Sequence, residues 1–160
     1  MKPFTIIIES VRGSQVKYNY HPEKDQFQLK KLLPVGMTFP YDFGFMPDTR
    51  GEDGDPLDAM VIAEFANFPG AAVSCRLIGA LQAEQTTPEG TIRNDRYFFI
   101  PEDAVAFEHI HTITAFGRKH NEQLSQFFIN YNKAEDKQFL PLRYIDAAAA
   151  YQELQARLNG

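Results

Sequence analysis

The chain has 160 residues, 44% of them hydrophobic and 23% charged, with a net charge of −5. That length suits one domain, residues 1–160, with its own core, and the negative charge argues against nucleic acid as a partner. No apolar run approaches the roughly eighteen residues of a membrane-spanning helix, and Thr5-Ile6-Ile7-Ile8 is too short for a signal peptide, so a cytoplasmic protein without a membrane partner is expected. The lone Cys75 excludes an intramolecular disulfide framework and a cysteine-based zinc site, and its apolar surroundings predict a buried thiol.

In chain order, Phe4 to Glu9 is a β-branched run, and Val16 to Tyr20 alternates apolar and polar residues. Phe27, Leu29 and Lys31 continue a two-residue period toward Leu33. Pro34, Gly36, Pro40, Gly44, Pro47, Gly51 and Gly54 then mark a long irregular stretch. Leu57 to Phe65 and Ala72 to Ala83 read as strands, residues 86–94 as a polar loop, and Arg96 to Ile100 as a further strand stopped by Pro101. From Gly117 to about Lys133, Leu124, Phe127, Phe128 and Tyr131 recur at helical spacing. Phe139 to Tyr144 is a candidate strand that Pro141 would confine to an edge. Asp146 is a candidate N-cap for a last helix over Ala147 to Leu158, closed by Asn159-Gly160. Many short strands followed by helices suggest a mainly β (α+β) fold, a compact barrel capped by helices.

Asp53-Gly54-Asp55-Pro56-Leu57-Asp58 concentrates three carboxylates in six residues. Such charges repel and raise one another's pKa values unless a hard cation relieves them, and Mg²⁺ takes one or two carboxylates with waters and phosphate oxygens. A solvated acidic turn is the competing reading. An EF-hand is not, because Leu57 and Asp58 stand where that loop needs a ligand and a glycine. An acidic protein can still bind phosphate through bound cations. His109 and His111 lack a third ligand nearby and read as surface residues, and the many Phe rings read as core, not as nucleic-acid stacking platforms.

The hexapeptide and the following Ala59 resemble the signature of family I soluble inorganic pyrophosphatases. The resemblance extends to Glu9, to Lys17-Tyr18, to Met37, Pro40 and Gly44, to Cys75-Arg76-Leu77-Ile78-Gly79, to Phe127-Phe128 with Tyr131, and to Tyr144 with the Ala-rich last helix. It implies a small five-stranded barrel of the oligonucleotide-binding (OB) type with C-terminal helices packed on it. It also implies Mg²⁺-dependent hydrolysis of inorganic diphosphate, with Mn²⁺ as the alternative cation, and a homo-oligomer. By resemblance, Asp53 and Asp58 are metal ligands and Asp55 orients or deprotonates the attacking water. Glu9 joins the metal site, while Lys17, Lys31 and Tyr131 hold phosphate oxygens.

The chain departs from the family pattern around this centre. Asn19 stands at an acidic position, Lys31 at an arginine, Phe39 and Phe43 at tyrosines, and Asn132 at a lysine. In the 84–96 segment, Asn94 falls at an aspartate position and Arg96 at a lysine, leaving Asn94 or the adjacent Asp95 as the remaining metal ligand. Strand alternation would turn Asp95 to the opposite face unless a bulge intervenes. The alternative to a working hydrolase is a protein of the same fold with lost or altered activity that binds a phosphorylated ligand.

Overall fold

The computed structural model describes residues 1–158. Nine strands run in the order β1 (Phe4–Ser10), β2 (Val16–His21), β3 (Gln26–Leu32), β4 (Asp42–Met46), β5 (Leu57–Val61), β6 (Ala72–Thr87), β7 (Gly90–Arg93), β8 (Arg96–Pro101) and β9 (Gln138–Asp146). Helix α1 (Arg118–Lys133) lies between β8 and β9, and α2 (Ala147–Gln155) follows β9.

Five strands close on themselves. β1 pairs with β4, β4 with β5, β5 with β8, β8 with β6, and β6 returns to β1. This is the expected five-stranded barrel, and closure removes the sheet edges that would otherwise be left unpaired. β6 makes it possible by its length. Ala72 to Cys75 pair with β1, Cys75 to Leu81 with β8, and Gly79 to Thr86 leave the barrel to pair with β9.

Two glycines allow close approaches that no side chain would. A Cβ on Gly44 would lie 1.9 Å from the Ile7 carbonyl oxygen, where β4 crosses β1. On Gly79 it would meet the Ile145 carbonyl oxygen at 2.5 Å and Ile113 Cγ2 at 2.6 Å, where β6 bends from one sheet partner to the next.

β8 is buried along its whole length, as the apolar run from Tyr97 to Ile100 predicts for all but the charged Arg96 at its start. Phe98 joins the core cluster that contains Leu124 and Phe128 of α1. Tyr97 and Phe99 join the cluster that contains Ala150 and Leu154 of α2. Cys75 is buried as expected, and burial pushes its thiol up to about 12.

Several element boundaries differ from expectation. Residues 86–94 are not a plain loop: β6 continues through Thr87, turns at Pro88-Glu89, and returns as β7. Cross-strand pairing, which the polar composition hides, carries this hairpin. β5 stops at Val61, short of Phe65. Pro141 does lie on an edge strand, paired to Ala83 beside a register shift. Asp146 caps α2 by accepting the Ala149 N–H at 3.1 Å, but the helix ends at Gln155, and Leu158 instead bridges to Thr49. The expected stop at Asn159-Gly160 lies outside the described residues.

Candidate active site

The acidic segment is the end of a loop fastened at both sides. Thr49 Oγ1 donates to the Met46 carbonyl at 2.6 Å and accepts the Leu57 N–H at 2.9 Å. The Gly51 N–H donates to the Asp55 carbonyl at 2.8 Å, and Gly54 takes a positive φ of 87° that suits its lack of a Cβ. Asp53 Oδ1 accepts the Asp55 N–H at 3.0 Å, an Asx turn that orders the segment. Asp53 and Asp55 are exposed, and Asp58, on β5, is half-buried. Burial raises the Asp53 carboxyl, the Asp55 N–H partly offsets this, and the charges of Asp58 and Asp55 raise it further.

Glu9 reaches the same region from β1. Its Oε2 accepts the Tyr20 N–H at 2.9 Å, which, with Ser10 Oγ accepting the Tyr18 N–H at 3.1 Å, ties the β2–β3 ribbon to the barrel. Burial raises the Glu9 carboxyl to about 7 despite that hydrogen bond, with the Asp58 charge adding to the rise and Lys17 opposing it. The ribbon carries Lys17 and Lys31 as direct cross-strand partners. Their ammonium nitrogens lie 4.8 and 5.1 Å from the ring centre of Tyr131, presented by α1. Burial lowers the Lys17 ammonium pKa and raises the Tyr131 hydroxyl well above its ordinary value. The Tyr131 hydroxyl is buried without a hydrogen bond among the described residues, and the Lys31 ammonium is buried in an ion pair with Glu135. Phe39 and Phe43 wall the Tyr131 ring at 5.7 and 6.3 Å and offer it no hydroxyl.

Arg96 opens β8 opposite Asp58 and is 3% exposed. Its Nη1 donates to Asp58 Oδ2 and, at 2.7 Å, to Asn94 Oδ1, while the guanidinium lies over Phe128 and Phe139. Asn94 Nδ2 donates in turn to Gln85 Oε1 at 2.8 Å. Asn94 therefore faces the acidic segment through Arg96. Asp95 belongs elsewhere: its Oδ1 accepts the Ala83 N–H at 2.9 Å, and Arg93 grips both of its oxygens, at 3.1 and 2.8 Å. Alternation along the chain is kept, and no bulge turns Asp95 toward Asp58.

One residue escaped the sequence reading. Glu135, in the turn after α1, forms ion pairs with Lys31 at 2.8 Å and Lys17 at 3.4 Å. Next to Lys133, Asp136 and Lys137 it reads as a solvated helix end, and only the fold places it beside lysines more than 100 residues earlier. Asn132, where the resemblance implies a lysine, is buried; its Nδ2 donates to the Phe128 carbonyl within α1 at 2.8 Å, and its backbone carbonyl accepts the Glu135 N–H of that turn.

Among the described residues, no group of three or more His, Cys, Asp or Glu side chains forms a ready-made metal cage. Asp53, Asp55 and Asp58 fit a cation of another kind, one that takes one or two carboxylates and completes its shell with water and phosphate oxygens. Burial and like charge hold the Asp53 and Glu9 carboxyls high, and a bound divalent cation would reverse that.

The closed five-stranded barrel, with carboxylates, lysines and a tyrosine near one another, places the chain in the OB-barrel class. The family described as inorganic pyrophosphatase matches residues 6–159. Inorganic pyrophosphatases from a Nostoc species and from Thermoplasma volcanium are 33% and 35% identical to this chain. These alignments cover 82% and 86% of the chain and 76% and 80% of the relatives. The crystal structure of the Thermus thermophilus inorganic pyrophosphatase superposes with a TM-score of 0.87 at 29% identity, covering 98% of this chain and 89% of the other. The chain belongs to the inorganic pyrophosphatase family.

Proposed function

We propose that the protein hydrolyses inorganic diphosphate to two phosphates with Mg²⁺ as its cation, Mn²⁺ being the alternative, and that it works as a cytoplasmic homo-oligomer. The observation that carries this reading is the buried Tyr131 hydroxyl, without a hydrogen bond among the described residues, with the Lys17 and Lys31 ammonium groups over its ring and a triplet of carboxylates close by. A buried donor without an acceptor is costly, and an anionic oxygen entering between this hydroxyl and the two lysines removes that cost.

Asp53 and Asp58, with Glu9 and Asn94 nearby, would hold Mg²⁺, which would supply charge against the diphosphate and lower the pKa of the attacking water. Asp55 has a carboxylate free of hydrogen bonds among the described residues, and it accepts the proton of that water. The water oxygen bonds to one phosphorus as the bridging P–O bond breaks, and the second phosphate leaves. Lys17, Lys31 and Tyr131 donate to the phosphate oxygens on which charge accumulates. Arg96 acts through Asp58 and Asn94, orienting both. Asp95 has no place in this scheme, since both its oxygens are committed to Arg93 and the backbone.

The relatives favour hydrolysis over a purely binding role. Phosphate release from pyrophosphate at millimolar Mg²⁺ tests the choice, with Asp55→Asn and Asp58→Ala as controls. Release by the wild type that both substitutions abolish is the expected result; a wild-type protein that releases none overturns the proposal.

A further inference from the structure

Lys17 and Lys31 face each other directly across the β2–β3 ribbon. Two like charges so placed destabilise a sheet unless an anion lies between them. Here the anion is Glu135. Its Oε1 lies 2.8 Å from Lys31 Nζ and 3.4 Å from Lys17 Nζ, and its Oε2 lies 3.3 Å from Lys137 Nζ.

The backbone delivers this carboxylate to a fixed spot. The Asn132 carbonyl accepts the Glu135 N–H at 2.9 Å and the Lys137 N–H at 3.0 Å, and Asp136 between them takes a left-handed φ of 58°. The Glu135 side chain is only 11% exposed. Burial alone would raise its carboxyl, but the bond to Lys31 and the charges of Lys17, Lys31 and Lys137 outweigh that and hold it at about 2. Two oxygens of one anion thus sit among three ammonium groups, the arrangement a phosphate would adopt there. Even so, the buried Tyr131 hydroxyl beside the two lysines has no hydrogen bond among the described residues, so the carboxylate fills the bay without saturating it.

We infer that Glu135 is a positioning residue that stands in for a phosphate oxygen: it holds the Lys17–Lys31 pair converged in the free protein and is exchanged for the phosphate when ligand enters. The inference rests on the phosphate-holding role proposed above for those two lysines. Because the carboxylate must be displaced, the site selects ligands that carry more negative charge than a single carboxylate, as phosphate and diphosphate do.

Glu135→Gln removes the charge and keeps the shape. Calorimetric titration of inorganic phosphate into the protein in Mg²⁺ buffer reads the exchange directly. Glu135→Gln is expected to bind phosphate about tenfold more tightly than wild type, since the lysine charges are no longer neutralised. The KM for pyrophosphate falls with it, while kcat does not rise. Glu135→Asp, with its carboxylate withdrawn by one methylene, gives an intermediate affinity and serves if the Gln variant misfolds. Phosphate affinity in either folded variant that equals or falls below wild type overturns the inference. A wild type that releases no phosphate from pyrophosphate, while Glu135→Gln still tightens phosphate binding, would remove the hydrolase reading and leave the exchange standing. An active wild type whose phosphate affinity is unmoved in both variants would remove only the exchange.

Discussion

Arg96 and Asp58 are register partners on parallel strands β8 and β5, and the Arg96 guanidinium bonds the Asp58 carboxylate. The arginine is buried, roofed by Phe128 and Phe139, and its Nη1 also holds Asn94. The last carboxylate of the acidic segment therefore has a fixed cation on its inner side and a partly exposed outer side. The interior contributes the charge that orients Asp58, and the outer side is where the proposed metal would bind.

Removing that cation should be costly. Arg96→Ala leaves Asp58 without its partner and opens a space beside two aromatic rings. Breaking a buried ion pair costs about 3–5 kcal/mol; with Asp58 still 28% exposed the lower end is expected, about 3 kcal/mol. Urea unfolding of the metal-free protein measures it, and a loss under about 1 kcal/mol would show that the pair is not structural.

Asn94 and Asp95 separate by the same logic. Asn94→Asp adds a carboxylate beside Asp58 and should tighten Mg²⁺ binding by about tenfold, at the expense of the bond to Gln85. Asp95→Asn should leave Mg²⁺ affinity unchanged and lower stability by about 1–3 kcal/mol, because Arg93 and the Ala83 N–H lose a charged acceptor. Calorimetric Mg²⁺ titrations of both variants decide between the neighbours. Weaker Mg²⁺ binding by Asp95→Asn would return that residue to the metal site.

Glu9 makes the metal-free protein pH-sensitive. Its carboxyl is raised from the ordinary 4.5 to about 7 by burial, against the Tyr20 hydrogen bond and with help from the Asp58 charge. Between those values the folded state binds the proton more tightly than the unfolded chain does, so stability from this group falls as pH rises from 4.5 to 7. Glu9→Gln, which can still accept the Tyr20 N–H, should gain on the order of 2 kcal/mol over wild type at pH 8 and nothing near pH 4.5. Thermal unfolding in a chelator at the two pH values tests the sign; an equal gain at both would rule out titration as the cause.

Tyr131→Phe isolates a single donor. The hydroxyl is buried without a hydrogen bond among the described residues, so its loss should leave unfolding stability within about 0.5 kcal/mol or raise it. The KM for pyrophosphate should rise about threefold to tenfold, the value of one hydrogen bond to an anion. A stability loss of several kcal/mol with an unchanged KM would make Tyr131 a core residue only.

Much of this was legible in the chain. The alternation at Val16 to Tyr20, the helical spacing from Leu124 to Tyr131 and the Asp146 cap each depend on residues close together, and each element formed where its pattern lies. The 86–94 hairpin was not legible, since its strands are polar and owe their existence to pairing with each other and with β9. Asp95 shows the reach of a local rule: alternation alone pointed it away from Asp58, and the structure keeps it there, in the grip of Arg93.

The sequence by itself determined the family and the acidic segment, because six contiguous residues carry that chemistry and the matching motifs run along nearly the whole chain. Tertiary structure alone decided how the outer residues serve the site. Asn132 became a buried residue bonded back into α1, Arg96 a buried partner for Asp58, and Glu135 the counter-anion of Lys17, 118 residues away. The reason is physical: a charge's partner is set by distance and burial, and only the docking of the β2–β3 ribbon and of α1 onto the barrel brings β2, β3 and the end of α1 within reach of one another.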